Sequence, residues 1–162
     1  MKWIKPYNIF ESLRNEINIE DIEERLIDFK HIGFDVDINL SSSIILDFDK
    51  KNDSQIKVSE IDGCNSGTTN NSLTIQVHSE QYIQCNVDEL ETICDDLNHY
   101  LNETLGLIPN YIYFGNIDFN FNTRAIYFKD FKSLRKYLNL RAGANIDPEN
   151  IKTSGFIIGY YK

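Results

Sequence analysis

The chain has 162 residues, 41% of them hydrophobic and 12% aromatic, with 25 Asp and Glu against 16 Lys and Arg for a net charge of −9. This length and composition suit a single domain spanning residues 1–162 and exclude a disordered or low-complexity chain. The negative charge argues against general nucleic-acid binding, and the lack of any long apolar run argues against a membrane span.

Charge is unevenly placed. Arg124 to Lys162 holds eight Lys/Arg against three Asp/Glu, a net +5, which leaves −14 on the preceding 123 residues. Cys64, Cys85 and Cys94 are odd in number and widely spaced, so neither a disulfide framework nor a zinc or redox motif is expected. A reducing, cytoplasmic compartment follows, with no cofactor. The opening Met1-Lys-Trp-Ile-Lys-Pro6 has no apolar run behind it, so a secretion signal is not expected.

In chain order, Asn8 to Glu16 reads as a short helical piece. Asn18 then caps a helix whose Ile19, Ile22, Leu26 and Phe29 recur at three- and four-residue steps, with His31 near its end and Gly33 as its stop. The period next switches to two. Phe34, Val36, Ile38 and Leu40 alternate with Asp35, Asp37 and Asn39, and Ile44, Leu46 and Phe48 repeat the pattern. A turn at Ser41-Ser42-Ser43 would set Leu40 opposite Ile44, Asp37 opposite Asp47 and Asp35 opposite Asp49. Strands over Gln55 to Ile61 and Ser72 to Ser79, separated by a breaker-rich loop, complete an expected antiparallel meander that sets Lys57 beside Asp47.

Asn86 and Glu89 form an N-terminal capping signature for a second helix with the stripe Val87, Leu90, Ile93, Cys94, Leu97 and Leu101, ended by Gly106. Strands follow near Tyr111 to Gly115 and Arg124 to Phe128. A short helix from Phe131 to Asn139, capped by Asp130, precedes a last strand from Gly155 to Tyr160. The expected fold is α+β, mainly an antiparallel sheet with two main amphipathic helices and a short third helix packed on it.

Directly opposed carboxylates destabilise a sheet unless something neutralises them. Asp35, Asp37, Asp47 and Asp49 therefore read as an oxygen-ligand cation site, a phosphate-like surface for a basic protein, or a solvated face screened by Lys50, Lys51 and Lys57. Asp95, His99 and Glu103 share one helix face and read as a surface ion-pair row or a proton-accepting group. His78 has no identifiable partner. Cys94 falls in the apolar stripe, and Cys64 is the one candidate exposed thiol, without a His signature around it. Lys132, Arg135, Lys136 and Arg141 make the third helix basic, suited to an acidic partner or to docking on the acidic remainder of the chain. No nucleotide-loop, dinucleotide, zinc-protease, nucleophile-elbow or EF-hand motif is present.

Ile112-Tyr-Phe-Gly-Asn-Ile117 resembles the shorter strand motif of the RNA-recognition motif family, and Gly155-Phe-Ile-Ile-Gly-Tyr160 resembles the longer one. The element order departs from that family's, and both segments read as aromatic-rich core strands. The leader Met1 to Phe10, Asp21-Ile-Glu-Glu-Arg-Leu-Ile-Asp-Phe29 and Gly33-Phe-Asp-Val-Asp-Ile38 together resemble small tailed-bacteriophage proteins of unassigned function, from which no functional residue carries over.

The expected function is a non-enzymatic, acidic protein-binding module, a phage-type accessory or inhibitor protein acting in the host cytoplasm. Asp35, Asp37, Asp47, Asp49, Lys132, Arg135, Lys136 and Arg141 are its candidate binding residues, and no residue is assigned to catalysis or metal. Two alternatives stand beside it. One is a metal-dependent or acid–base enzyme using the Asp35/Asp37/Asp47/Asp49 face; the other is a virion or assembly component, with homo-oligomers.

Overall fold

Asn18 opens the first helical segment by accepting the Glu20 N–H on Oδ1 at 3.1 Å. A computed structural model describes residues 16–44, 55–57, 69–119, 122–141 and 149–161. Where one helix is expected the structure has two, α1 (Ile19–Arg25) and α2 (Ile27–Ile32). They join at Leu26, whose ψ of 4° tightens the turn so that Phe29 N–H donates to the Leu26 carbonyl at 3.0 Å. Ile22, Leu26 and Phe29 are all fully buried, so the bend keeps one apolar stripe on the core, and Ile19, 47% exposed, falls off it.

After Gly33 the chain enters β1 (Asp35–Ile44), which runs without a break through Ser41, Ser42 and Ser43. These three lie opposite Ser72, Asn71 and Asn70 of β3 (Thr69–Asn86), so the expected serine turn does not form, and Leu40 and Ile44 share one strand instead of facing each other. β3 satisfies the backbone groups that a turn would otherwise have taken. Most of the expected strand over Ile44, Leu46 and Phe48 falls within residues 45–54, which lie outside the described residues. β2 (Gln55–Lys57) pairs with β5 (Asn122–Phe128) and sets Lys57 opposite Ile126, while Asp47, its expected neighbour, lies outside the described residues.

α3 (Val87–Leu105) forms as its spacing predicts. Asn86 Oδ1 accepts the Asp88 and Glu89 N–H groups at 2.8 and 3.3 Å, the six stripe residues and Leu105 are buried, and Gly106 terminates the helix. β4 (Ile108–Phe119) and β5 lead into α4 (Phe131–Arg141), where Asp130 Oδ1 accepts the Ser133 N–H at 2.8 Å. β6 (Asn150–Tyr161) closes the described fold.

The six strands among the described residues order as β1-β3-β6-β4-β5-β2, every neighbouring pair antiparallel. The fold is α+β, but the sheet is not the expected meander: the last strand inserts between β3 and β4, and β2 goes to the far edge. Cross-strand partners share a face, which separates the sheet into two sides. One side carries Leu73, Ile75, Val77, Ile112, Phe114, Ile126, Phe128, Phe156, Ile158 and Tyr160, which form one core with the buried residues of the helices. Phe156 sits at its centre, with ring centroids 5.5 Å from Phe29, 6.2 Å from Phe34 and 5.3 Å from Phe114. The two aromatic strand segments singled out in the sequence are the neighbours β4 and β6, with Ile112 opposite Ile158. Their Phe114, Phe156, Ile158 and Tyr160 enter the core, while Tyr111 and Tyr113 lie on the other side. Among the described residues no helix is long and apolar enough to cross a membrane.

Candidate protein-binding surface

On the side of the sheet away from the helices, β3 sets an imidazole and an amide, not carboxylates, opposite the β1 aspartates. Asp35 lies opposite His78 and Asp37 opposite Gln76, and Asp37 Oδ2 is 2.9 Å from His78 Nε2. The expected register, with carboxylate facing carboxylate, is therefore replaced by one in which an imidazole and an amide take those places. Both aspartates are exposed. Asp47 and Asp49 lie outside the described residues. His78 has a partner after all, and the sequence could not show it because 41 residues separate it from Asp37.

Three tyrosines occupy the middle of the same side. Tyr127 is 4.5 Å from Tyr113 and 5.3 Å from Tyr111, centroid to centroid, and the Tyr111 ring lies across Gly159 where a side chain would otherwise stand. Burial, with Tyr127 alongside, pushes the Tyr111 hydroxyl up to about 12, so it stays a donor at neutral pH.

One cation of the basic helix pairs with carboxylates of its own protein. Arg135 forms ion pairs with both Asp88 and Glu91 of α3. Burial alone would lower the Arg135 pKa, and these two carboxylates outweigh it and raise the value above that of free arginine. Lys132 and Lys136 are exposed on the same helix, and Arg141 is its last residue. Of the four basic candidates, Arg135 serves the α3–α4 junction.

Among the described residues the strongest concentration of charge lies on the helix layer, not on the sheet. α3 carries Asp88, Glu89, Glu91, Asp95, Asp96 and Glu103 with no Lys or Arg, and α1 and α2 add Glu20, Asp21, Glu23, Glu24 and Asp28. The cause is the apolar stripe of each helix, which turns inward and leaves the acidic remainder on the outer surface. Two grooves run between α1–α2 and α3 and meet at Asp28. One, of about 540 Å³, is lined by Asp21, Glu24, Arg25, Asp28, Asp96 and Tyr100; the other, of about 690 Å³, by Asp28, His31, Ile32, Glu89, Thr92 and Ile93.

Arg25 is the lone Lys or Arg among these lining residues, and it is held in place. Its Nη1 donates to Asp96 Oδ2 at 2.8 Å and its guanidinium lies 4.3 Å from the Tyr100 ring centre, while Tyr100 donates to Asp21 Oδ2 at 3.2 Å. Asp21, Glu24, Asp28 and Glu89 are carboxylates with no Lys or Arg ion pair among the lining residues. A row of carboxylates along a groove attracts a cationic surface and steers its approach. This surface is written in the α3 sequence itself, as six acids without one cation.

Of the remaining candidates, His99 Nε2 lies 3.2 Å from Glu103 Oε2, and His31 Nδ1 lies 3.4 Å from Asp28 Oδ1, all four largely exposed. Asp95 is exposed on the same helix as His99. Among the described residues no three His, Cys, Asp or Glu side chains converge where they could hold a metal ion. Cys85 is buried and its thiol is pushed up to about 12 by burial and by Glu89; Cys94 is fully enclosed and its thiol is raised well above the ordinary value, by burial and then by Asp95 and Glu91. Neither forms the thiolate that nucleophilic chemistry requires at neutral pH. Cys64 lies outside the described residues.

No known protein family, curated protein or solved structure matches the chain.

Proposed function

We propose that the protein is a non-enzymatic binding module that docks a basic protein surface on the groove between α1–α2 and α3. The observation that carries this reading is the line of carboxylates from Asp21 and Glu24 through Asp28 to Glu89, with Arg25 as its sole Lys or Arg. A target that handles nucleic acid carries Lys and Arg where phosphates bind, and carboxylates spaced along a groove can occupy those same groups. An inhibitor or accessory protein of the kind that bacteriophages encode fits this arrangement. The sheet aspartates Asp35 and Asp37 belong to a different surface and are secondary here.

Charge reversal separates the two surfaces. With the immobilised protein exposed to a bacterial lysate, the wild type is expected to retain basic proteins at low ionic strength and release them as salt rises past about 0.15 M, where the Debye length falls to ~8 Å. Asp28→Lys/Asp96→Lys is expected to abolish retention, and Asp35→Lys/Asp37→Lys to preserve most of it. The reverse ranking of the two double variants would refute the helix-layer reading.

A further inference from the structure

On the side of the sheet away from the helices, β3 loses register against β6 between His78 and Ile83, and β4 loses register against β5 between Phe114 and Ile117. Irregularities of this kind bend strands and re-aim side chains, and they occur preferentially beside binding sites. Gly155 of β6 lies at the same level, with φ of +153° and its backbone pressed on β3: an added Cβ would stand 2.2 Å from the Val77 carbonyl oxygen. Thr153, fully buried, holds this segment, accepting the Gly155 N–H at 3.1 Å and donating to the Gly155 carbonyl at 2.9 Å.

These features leave a depression of about 170 Å³ among Gln76, His78, Tyr113, Gly115, Ser154 and Gly155. It is smaller than the ~300–1,000 Å³ of sites that hold whole cofactors or drug-sized ligands, so it admits a single group. Tyr113 forms one wall and is braced at 4.5 Å by Tyr127, which keeps the ring from swinging away. His78 forms another, held through Nε2 by Asp37 at 2.9 Å. With Nε2–H donating to the carboxylate, Nδ1 accepts whenever the imidazole is neutral.

The lining therefore offers acceptors and a π face. The Gln76 amide oxygen accepts, as does Nδ1 of the neutral His78 imidazole, the Asp37 carboxylate adds negative charge at the margin, and no Lys or Arg is present. An anion has no partner of opposite charge there. A planar cation that only donates has every partner it needs, and a guanidinium group is that species: five N–H donors, no acceptor, and a flat face that stacks on tyrosine.

We infer that this depression receives the arginine side chain of a partner protein, with the guanidinium stacked on Tyr113 and hydrogen-bonded to the His78–Asp37 pair. It lies on the opposite side of the molecule's sheet from the acidic helix groove, so it stands or falls independently of the function proposed above. A lysine ammonium lacks the planar face and fits less well, and the negative margin disfavours a nucleotide phosphate.

The test is an NMR titration of the full chain with the peptide acetyl-Gly-Arg-Gly-amide, beside its lysine counterpart and adenosine monophosphate. The arginine peptide is expected to shift the signals of His78, Gly115 and Gly155, and to bind about fivefold or more weakly to Tyr113→Ala. Gly115→Val is expected to weaken it likewise. An added Cβ there meets the Tyr113 ring at 3.7 Å, ordinary contact, so this variant fills the floor without straining the backbone and stands in if Tyr113→Ala misfolds. Equal shifts with the lysine peptide would overturn the inference in favour of general charge attraction. Shifts at these residues with adenosine monophosphate alone would overturn it in favour of a base-stacking site, and an arginine affinity unchanged in both variants would place the binding elsewhere.

Discussion

Gly155→Ala is expected to lower stability by about 3 kcal/mol or more, or to prevent folding, whereas Gly115→Ala is expected to stay within about 0.5 kcal/mol of the wild type. The two glycines sit on neighbouring central strands and line the same depression, yet their surroundings differ. A Cβ at Gly155 would stand 2.2 Å from the Val77 carbonyl oxygen and 2.9 Å from His78 Cα, both backbone atoms that cannot swing aside, and its φ of +153° is one that L side chains rarely adopt. A Cβ at Gly115 meets nothing closer than the Tyr113 ring at 3.7 Å. Relief of the first clash would require β3 and β6 to separate at the centre of the sheet. Urea unfolding midpoints for the two variants decide the matter, and equal losses would show that β3 and β6 do not approach so closely.

Phe156→Ala is expected to cost about 3–5 kcal/mol, the range for removing a buried phenylalanine from a core that cannot collapse around the void. Its ring is 2% exposed and contacts Phe29 of α2, Phe34 before β1 and Phe114 of β4, so it joins the helix layer to two parts of the sheet. Loss of this ring leaves three aromatic neighbours facing one cavity on different elements. Leu140→Ala, at a side chain 73% exposed, serves as the control and is expected to change stability by less than about 0.5 kcal/mol. Thermal or chemical unfolding of both variants measures the difference.

Local patterns in the sequence carried the local structure. The Asn86 cap, the α3 stripe and the Gly106 stop are all where periodicity and capping chemistry place them, because each depends on neighbours within one or two turns. The α1–α2 helix is split because a single residue, Leu26, tightens its turn while staying buried, and no Pro or Gly signals it. The larger departures are non-local. Ser41-Ser42-Ser43 has the composition of a turn, but Asn70, Asn71 and Ser72 pair with it as a strand, and only the partner distinguishes the two outcomes. The insertion of β6 between β3 and β4 brings together segments some eighty residues apart, from Ile75 to Ile158 and Gln76 to Ile157 for example, and no period in either segment encodes that choice.

The candidate sites divide in the same way. The alternation of Asp35 and Asp37 onto one face was readable, but their partners were not, since His78 and Gln76 come from a strand beyond the breaker-rich loop. Arg135 was readable as one of four cations on a short helix. Its pairing with Asp88 and Glu91 follows from how α4 packs against α3. The acidic helix groove was within reach of the sequence alone, because six carboxylates without a Lys or Arg over Val87–Leu105 are a statement about that helix's outer surface once its apolar stripe is known.

The most direct measurement is carbodiimide cross-linking of the protein to whatever basic protein it captures, with the joined residues located by mass spectrometry. This chemistry links a carboxylate to a lysine amine only where the two already touch. Cross-links concentrated at Asp21, Glu24, Asp28 and Glu89 are the predicted result. Cross-links confined to Asp35 and Asp37, or spread evenly over every acidic residue, would contradict the assignment of the helix groove as the docking surface.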